Sequence, residues 1–390
     1  LDSLVTRAAH ARFLLDYENL VDDEIDEIVL AEYQAVFPTY CKREDRWKLF
    51  LADPSFMNDR EFLKHFRVSR EAFPRLVDLV RDDNMFEYAP HRTFRGGPEL
   101  HMMVLLKHLG SSGNDNTSSK LALFFGIGKG SVDNYVRRAV AAVVKLQGMV
   151  TTWPKAEERR LIASRVYEKY RFVNCAGMAN RTLFPLELKP KFNGEDYFTR
   201  KGGYALNGMI TCDDVSRIRD LIVGWPGSTH DNRVWTNGRV NRNPSLFFSA
   251  NEYFLGDSAF QASSIMIPAY KKPVHADLDA HKTYFNTRLA KARIKTELCI
   301  GLLKARFQYL KRARVLIKSK RDMKRLLRLI MCTGILHKLL IEEPVPPDWE
   351  SEIDARPLDD DYELNVLVPS NAAGEARHSQ LLAFMLETRS

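Results

Sequence analysis

Cysteine is scarce and scattered in this sequence. Cys41, Cys175, Cys212, Cys299 and Cys332 are the only five in 390 residues, and no two form a C-x-x-C pair. An odd, widely spaced set argues against a disulfide framework and against a zinc site, and it favours a reducing compartment. No apolar run reaches the ~18 residues a membrane span needs. The opening residues carry Asp22, Asp23 and Glu24 and no apolar stretch, so they do not read as a secretory signal. A phosphate loop is also missing. Gly128-Lys129-Gly130-Ser131 is suggestive, but the first glycine of that motif falls at position 123, which is Leu123, and the preceding segment reads as helix.

What is present is hydrophobic residue enough for real cores, 45% of the chain, and a net charge of +8. The length predicts two or three domains, and the charge predicts an anionic partner, nucleic acid first. Basic residues crowd the segment 291–320, where Glu297 is the only acid. The sign flips from Glu342 onward, with acids clustered through Glu363.

Periodicity divides the chain. Residues 1–59 read as an amphipathic helical arm. Residues 60–154 read as all-helical, with Phe62, Phe66, Phe73, Leu76 and Leu79 at helical spacing. Within them a helix around Leu121–Phe125, a short glycine turn, and a long helix from Ser131 to Leu146 form a helix-turn-helix pattern, with Ser131 as the expected cap. Arg137 and Arg138 are its candidate DNA contacts. Three-helix units also serve as plain packing, so that reading stays open. From residue 155 to 341 the pattern becomes strand-like and then helical again. Strands are expected at Phe172–Ala179, Tyr204–Cys212, Ile218–Gly224 and Tyr253–Gly256, a helix near His230, and helix from Thr283 to Leu340. Three strands, a helix, a strand and then helices is the order of an RNase H-like core, a mixed sheet flanked by helices. Residues 342–390 read as an acidic, mostly disordered tail, with a short helix at Gln380–Leu386.

A nuclease of that fold holds two divalent metals in a carboxylate cluster at strand ends and on one helix. The candidates are Asp231, Asp257 and Glu297. Singly each has an ordinary reading: an aspartate after a strand caps a turn or helix, and Glu297 has Arg293 four residues earlier as an ion-pair partner. His230, beside Asp231, reads as an orienting or capping residue rather than a base. Trp225 and Trp235 read as packing.

Several linked blocks resemble the PIF/Harbinger transposases, a DDE superfamily endonuclease family. They are Gly177–Leu186, Tyr197–Ala205, Val223–Trp235, Tyr253–Phe260, Asn286–Phe307 and, upstream, Phe124–Tyr135. The resemblance covers about residues 60–340. It implies a metal-dependent DNA endonuclease and strand transferase, Mg²⁺ or Mn²⁺ as cofactor, DNA as partner, a nuclear location, and a Myb-like accessory DNA-binding protein; it also allows a homo-oligomer. It places the acidic triad at position 180, Asp257 and Glu297, with Asp231 as an additional acid. This chain departs at the first of these. Asn180 and Arg181 stand where the family has Asp-Gly. An amide brings no negative charge, and a neighbouring cation opposes a metal, so impaired cleavage is expected. The alternative is a domesticated, non-catalytic DNA-binding protein that keeps the fold. In either case Lys304, Arg306, Lys311, Arg312 and Arg314 are expected to form a phosphate-binding strip beside the Glu297 helix.

Overall fold

The computed structural model describes residues 45–89, 92–273, 275–350 and 371–388. Most of the N-terminal arm, Cys41 and the middle of the acidic tail therefore lie outside the described residues.

The N-terminal part is helical: α1 (Arg46–Ala52), α2 (Asp59–Phe66), α3 (Ala72–Asp78), α4 (Gly97–Leu109), α5 (Ser118–Phe125) and α6 (Lys129–Lys145). Asn58 starts α2 with a reciprocal capping box to Glu61. A two-stranded hairpin, β1 (Glu87–Ala89) with β2 (Arg92–Thr93), interrupts the helices where the sequence suggested only a break. Between α5 and α6 the chain turns through Gly126 at φ 70°, a left-handed cap that glycine takes without steric cost. The expected start of α6 is corrected. Gly128, extended at φ −69° and ψ 145°, is the cap, and α6 begins at Lys129, two residues before Ser131.

Next come α7 (Ala156–Tyr170) and three antiparallel strands, β3 (Cys175–Pro185), β4 (Ala205–Cys212) and β5 (Ile218–Pro226). Helix α8 (Asp231–Asn237) follows, then β6 (Tyr253–Leu255) and β7 (Met266–Ile267), both parallel to β3. The sheet order is β5-β4-β3-β6-β7. This is the expected mixed sheet flanked by helices, behind a helical N-terminal region. β7 was not anticipated, because two buried residues carry no period to read.

The helical region expected from Thr283 to Leu340 holds two helices, α9 (Ala280–Arg306) and α10 (Lys320–Leu339), joined by a 3₁₀ turn at Gln308–Lys311 and irregular chain. Asp279 caps α9, and Ser319 caps α10 by accepting from the Asp322 amide. A C-terminal helix, α11 (Ala372–Glu387), is longer than the short one expected. Its Leu381 and Met385 join Phe172, Tyr253, Phe285 and Leu289 in one buried cluster, and burial of that stripe explains why the helix forms at the end of an acidic segment.

The helical head and the sheet share a core. One apolar cluster runs from Phe62, Phe66 and Leu105 through Val136 and Val143 to Leu329, Ile335 and Leu340. Helix α6 is packed among α4, α5 and α10. It buries Val132, Tyr135, Val136, Ala139, Val140 and Val143.

Candidate functional site

The middle of β3 carries Asn180 and Arg181, and strand alternation sends consecutive side chains to opposite faces. Asn180 is buried, on the face that meets α9. Its side-chain oxygen accepts from the Arg181 backbone N–H at 2.9 Å and from the Arg293 guanidinium at 3.4 Å. Asp257 follows the end of β6, and one of its oxygens lies 3.6 Å from the same Arg293 nitrogen. The other accepts from the Ala259 amide at 2.9 Å, a tight turn that fixes the carboxylate. Glu297 is half-buried on α9, one helical turn beyond Arg293. Asn180 and Asp257 thus meet at Arg293 of α9.

Asp231 meets a different set of partners. It is buried at the first position of α8. There it meets Arg181 at 3.3 Å and the Asn207 side-chain amide at 3.4 Å. Asn207 also donates to the Thr229 carbonyl at 2.7 Å, which ties β4 to the turn before α8. Arg181 is thus an ion-pair partner of Asp231. Trp235 is buried in the core beside Phe254. His230 precedes α8 with no side-chain capping bond.

Hard cations need several anionic oxygens around one point. Here a neutral amide holds the first position, the Arg293 guanidinium spans that amide and Asp257, and Asp231 is paired with Arg181. Among the described residues no group of three or more His, Cys, Asp or Glu side chains is arranged to hold a metal. The residues present do not fit a two-metal centre, and no metal-borne step is derived from them.

The expected DNA-contact residues divide by burial. Arg138 is inside the head, its guanidinium 3.3 Å from the centre of the Phe94 ring. Arg306 is also buried, donating to the Leu340 carbonyl at 2.6 Å and lying over Trp349; burial lowers its pKa to about 10. These two expectations are corrected: neither guanidinium faces solvent. Lys304 turns its ammonium to the Leu183 carbonyl at 2.8 Å, and burial, with Lys201 and Lys311 nearby, lowers its pKa to about 8. Arg137 is half-buried, donates to Asn134 at 3.1 Å, and is lowered to about 10 by burial and by Arg138, Arg325 and Arg321. Lys311 is half-buried. Arg312 and Arg314 are exposed and pair loosely with Glu187 at 3.7 and 3.9 Å.

Sequence reasoning missed Arg293 as a bridge to Asp257 and missed Asn207 altogether. A buried asparagine in the otherwise apolar run of β4 was the available signal for the latter.

Residues 182–338, which include Asp231, Asp257 and Glu297 but not Asn180, match the family model described as DDE superfamily endonuclease. The chain is 24% identical over 325 residues to "Protein ALP1-like" of Arabidopsis thaliana, covering 78% of this chain and 75% of that one. No solved structure matches. Together the two matches support a transposase-related endonuclease domain of the DDE superfamily in this chain.

Proposed function

We propose that this chain is a DNA-binding protein of PIF/Harbinger transposase type, built on an RNase H-like nuclease core whose metal-dependent strand cleavage is impaired. The observation that carries this reading is the buried Asn180 amide linked through Arg293 to Asp257, where the chemistry calls for carboxylates free to take up metal. The strand order β5-β4-β3-β6-β7 supports the RNase H-like assignment. The family match, which begins at Thr182, supports the nuclease descent without speaking for position 180.

Cleavage of a phosphodiester by this class of enzyme needs the metals to activate the nucleophile and to stabilise the leaving oxygen. An amide oxygen supplies a lone pair but no charge. Arg293 lies against Asp257, and Arg181 against Asp231. The field that would draw in a divalent cation is thereby largely cancelled.

A second reading, DNA binding with no residual chemistry, is favoured by the cations the fold leaves outside, Arg312 and Arg314 among them. The α5-turn-α6 pair is a less suitable reader of a DNA groove. The flank of α6 is covered by α10, with Asp133 paired to Arg325 at 3.0 Å.

Calorimetric titration with Mn²⁺ tests the proposal. The unaltered protein is expected to show no saturable binding. Asn180→Asp combined with Arg181→Gly is expected to gain at least about tenfold in affinity, or about 1.4 kcal/mol, and to lose that gain when Glu297→Ala is added. Saturable Mn²⁺ binding by the unaltered protein, abolished by Glu297→Ala alone and accompanied by nicking of plasmid DNA, would overturn it.

A further inference from the structure

The connection between β3 and β4 does more than join two strands. Its first half is pinned to the chain that follows α9: the Glu187 and Lys191 amides donate to the Ala313 and Ile317 carbonyls, each at 2.9 Å. Its second half is a small hairpin. Phe198 pairs with Tyr204, and the Thr199 amide donates to the Gly203 carbonyl at 2.8 Å. Gly202, at φ 78°, provides the left-handed residue that the tight turn needs. Arg200 and Lys201 stand exposed at the hairpin tip. The base of the hairpin touches the turn leading to Asp231, because the Asp196 carbonyl accepts from both the amide and the hydroxyl of Ser228.

Two large aromatic rings lie open on this loop. Phe192 is 64% exposed and Phe198 is 46% exposed. The Phe198 ring rests edge-on against Tyr204 with its centre 5.3 Å away. Single exposed apolar residues are ordinary, but these two sit among exposed Lys191, Arg200 and Lys201, with Arg312 and Arg314 on the adjoining segment. Lys189 is paired with Glu195, and Glu187 and Asp196 add further acid, so the surface is not uniformly basic. Cations interspersed with the rings suit a polyanion carrying flat apolar groups better than an apolar protein face.

We propose that the 186–204 loop is a single-stranded DNA platform, with Phe192 and Phe198 stacking on unpaired bases while Lys191, Arg200 and Lys201 hold the phosphates. It rests on the DNA-binding reading above and adds to it the form of the ligand, a separated or unpaired strand next to the candidate nuclease site. Stacking is indifferent to sequence, because every base has a π-face. Phosphate contacts supply salt-dependent affinity.

The test is fluorescence anisotropy of the full chain with labelled oligo(dT) and with a labelled duplex of equal length, across a salt series. Phe192→Ala with Phe198→Ala is expected to weaken oligo(dT) binding by about tenfold or more. Duplex binding and the salt slope should stay within about twofold. Phe192→Trp is expected to preserve binding and to add a fluorescence signal that oligo(dT) quenches. Lys191→Gln with Lys201→Gln should lower both affinities and flatten the salt dependence. Unchanged oligo(dT) binding by the double alanine variant, with thermal stability intact, would overturn the platform and leave DNA binding standing. Binding of neither probe by the unaltered protein would overturn both readings. Preference for oligo(rU) over oligo(dT) would also overturn the DNA assignment.

Discussion

Two basic regions of this molecule look alike in sequence and behave differently in the fold. The stretch 304–314 is dense in cations, yet Arg306 caps a helix carbonyl under Trp349 and Lys304 is turned to the Leu183 carbonyl. The 186–204 loop is less dense, but Lys191, Arg200 and Lys201 are exposed. Charge density along a sequence therefore measures potential for binding only after the fold has used what it needs. A helix that ends in the interior, as α10 does at Leu340, draws a nearby guanidinium inward to its last carbonyls, here that of Arg306 from α9.

The sharpest way to test this contrast is to remove an inward cation. Arg306→Ala leaves the Leu340 carbonyl without its 2.6 Å donor and a void beneath Trp349. The expected cost is about 2–4 kcal/mol in urea unfolding, from one orphaned buried carbonyl plus lost packing. DNA affinity of the protein that remains folded should not change. A stable variant with weaker DNA binding would mean that Arg306 faces outward and that the contrast fails.

Buried histidines extend the comparison to pH. Burial lowers the pKa of His378 to about 4, of His65 and His108 to about 4, and of His101 and His337 to about 3. Each must be neutral to stay inside, whereas in the unfolded chain it takes a proton near pH 6.5. The stabilisation is therefore complete above about pH 6.5 and is lost as pH falls toward the folded values. His378 stacks on Tyr270 with ring centres 3.8 Å apart, so Phe can replace it in shape. His378→Phe is expected to remove roughly 2–3 kcal/mol of the acid sensitivity between pH 7 and pH 4. Melting temperatures across that range decide it; an unchanged slope would place the proton-sensitive groups elsewhere.

The legible parts of the fold were those set by local pattern. The sheet strands β4 and β5 announced themselves by apolar runs stopped at Asp213 and Pro226. Other features depend on distant partners. Alternation along β3 turns Arg181 away from Asn180, but its pairing with Asp231 joins positions fifty residues apart that no local signal links. The fate of Arg138 turns on Phe94, more than forty residues away in sequence. The helix-turn-helix pattern was readable, but the cover that α10 lays over α6 joins segments nearly two hundred residues apart.

The smallest expected effect lies on the outward side. Arg312 is exposed and sits 3.7 Å from Glu187, a contact that solvent screens. Arg312→Gln should change stability by less than about 0.5 kcal/mol. If the guanidinium instead meets a phosphate when DNA is bound, its removal should reduce the slope of log affinity against log salt by about 1. The same substitution in a Glu187→Gln background separates the two roles, because an intramolecular pair with Glu187 competes with the phosphate. Without that carboxylate, Arg312 should contribute more to DNA affinity. Equal contributions in both backgrounds would show that Glu187 does not hold the cation in reserve, and that the exposed strip is simply available.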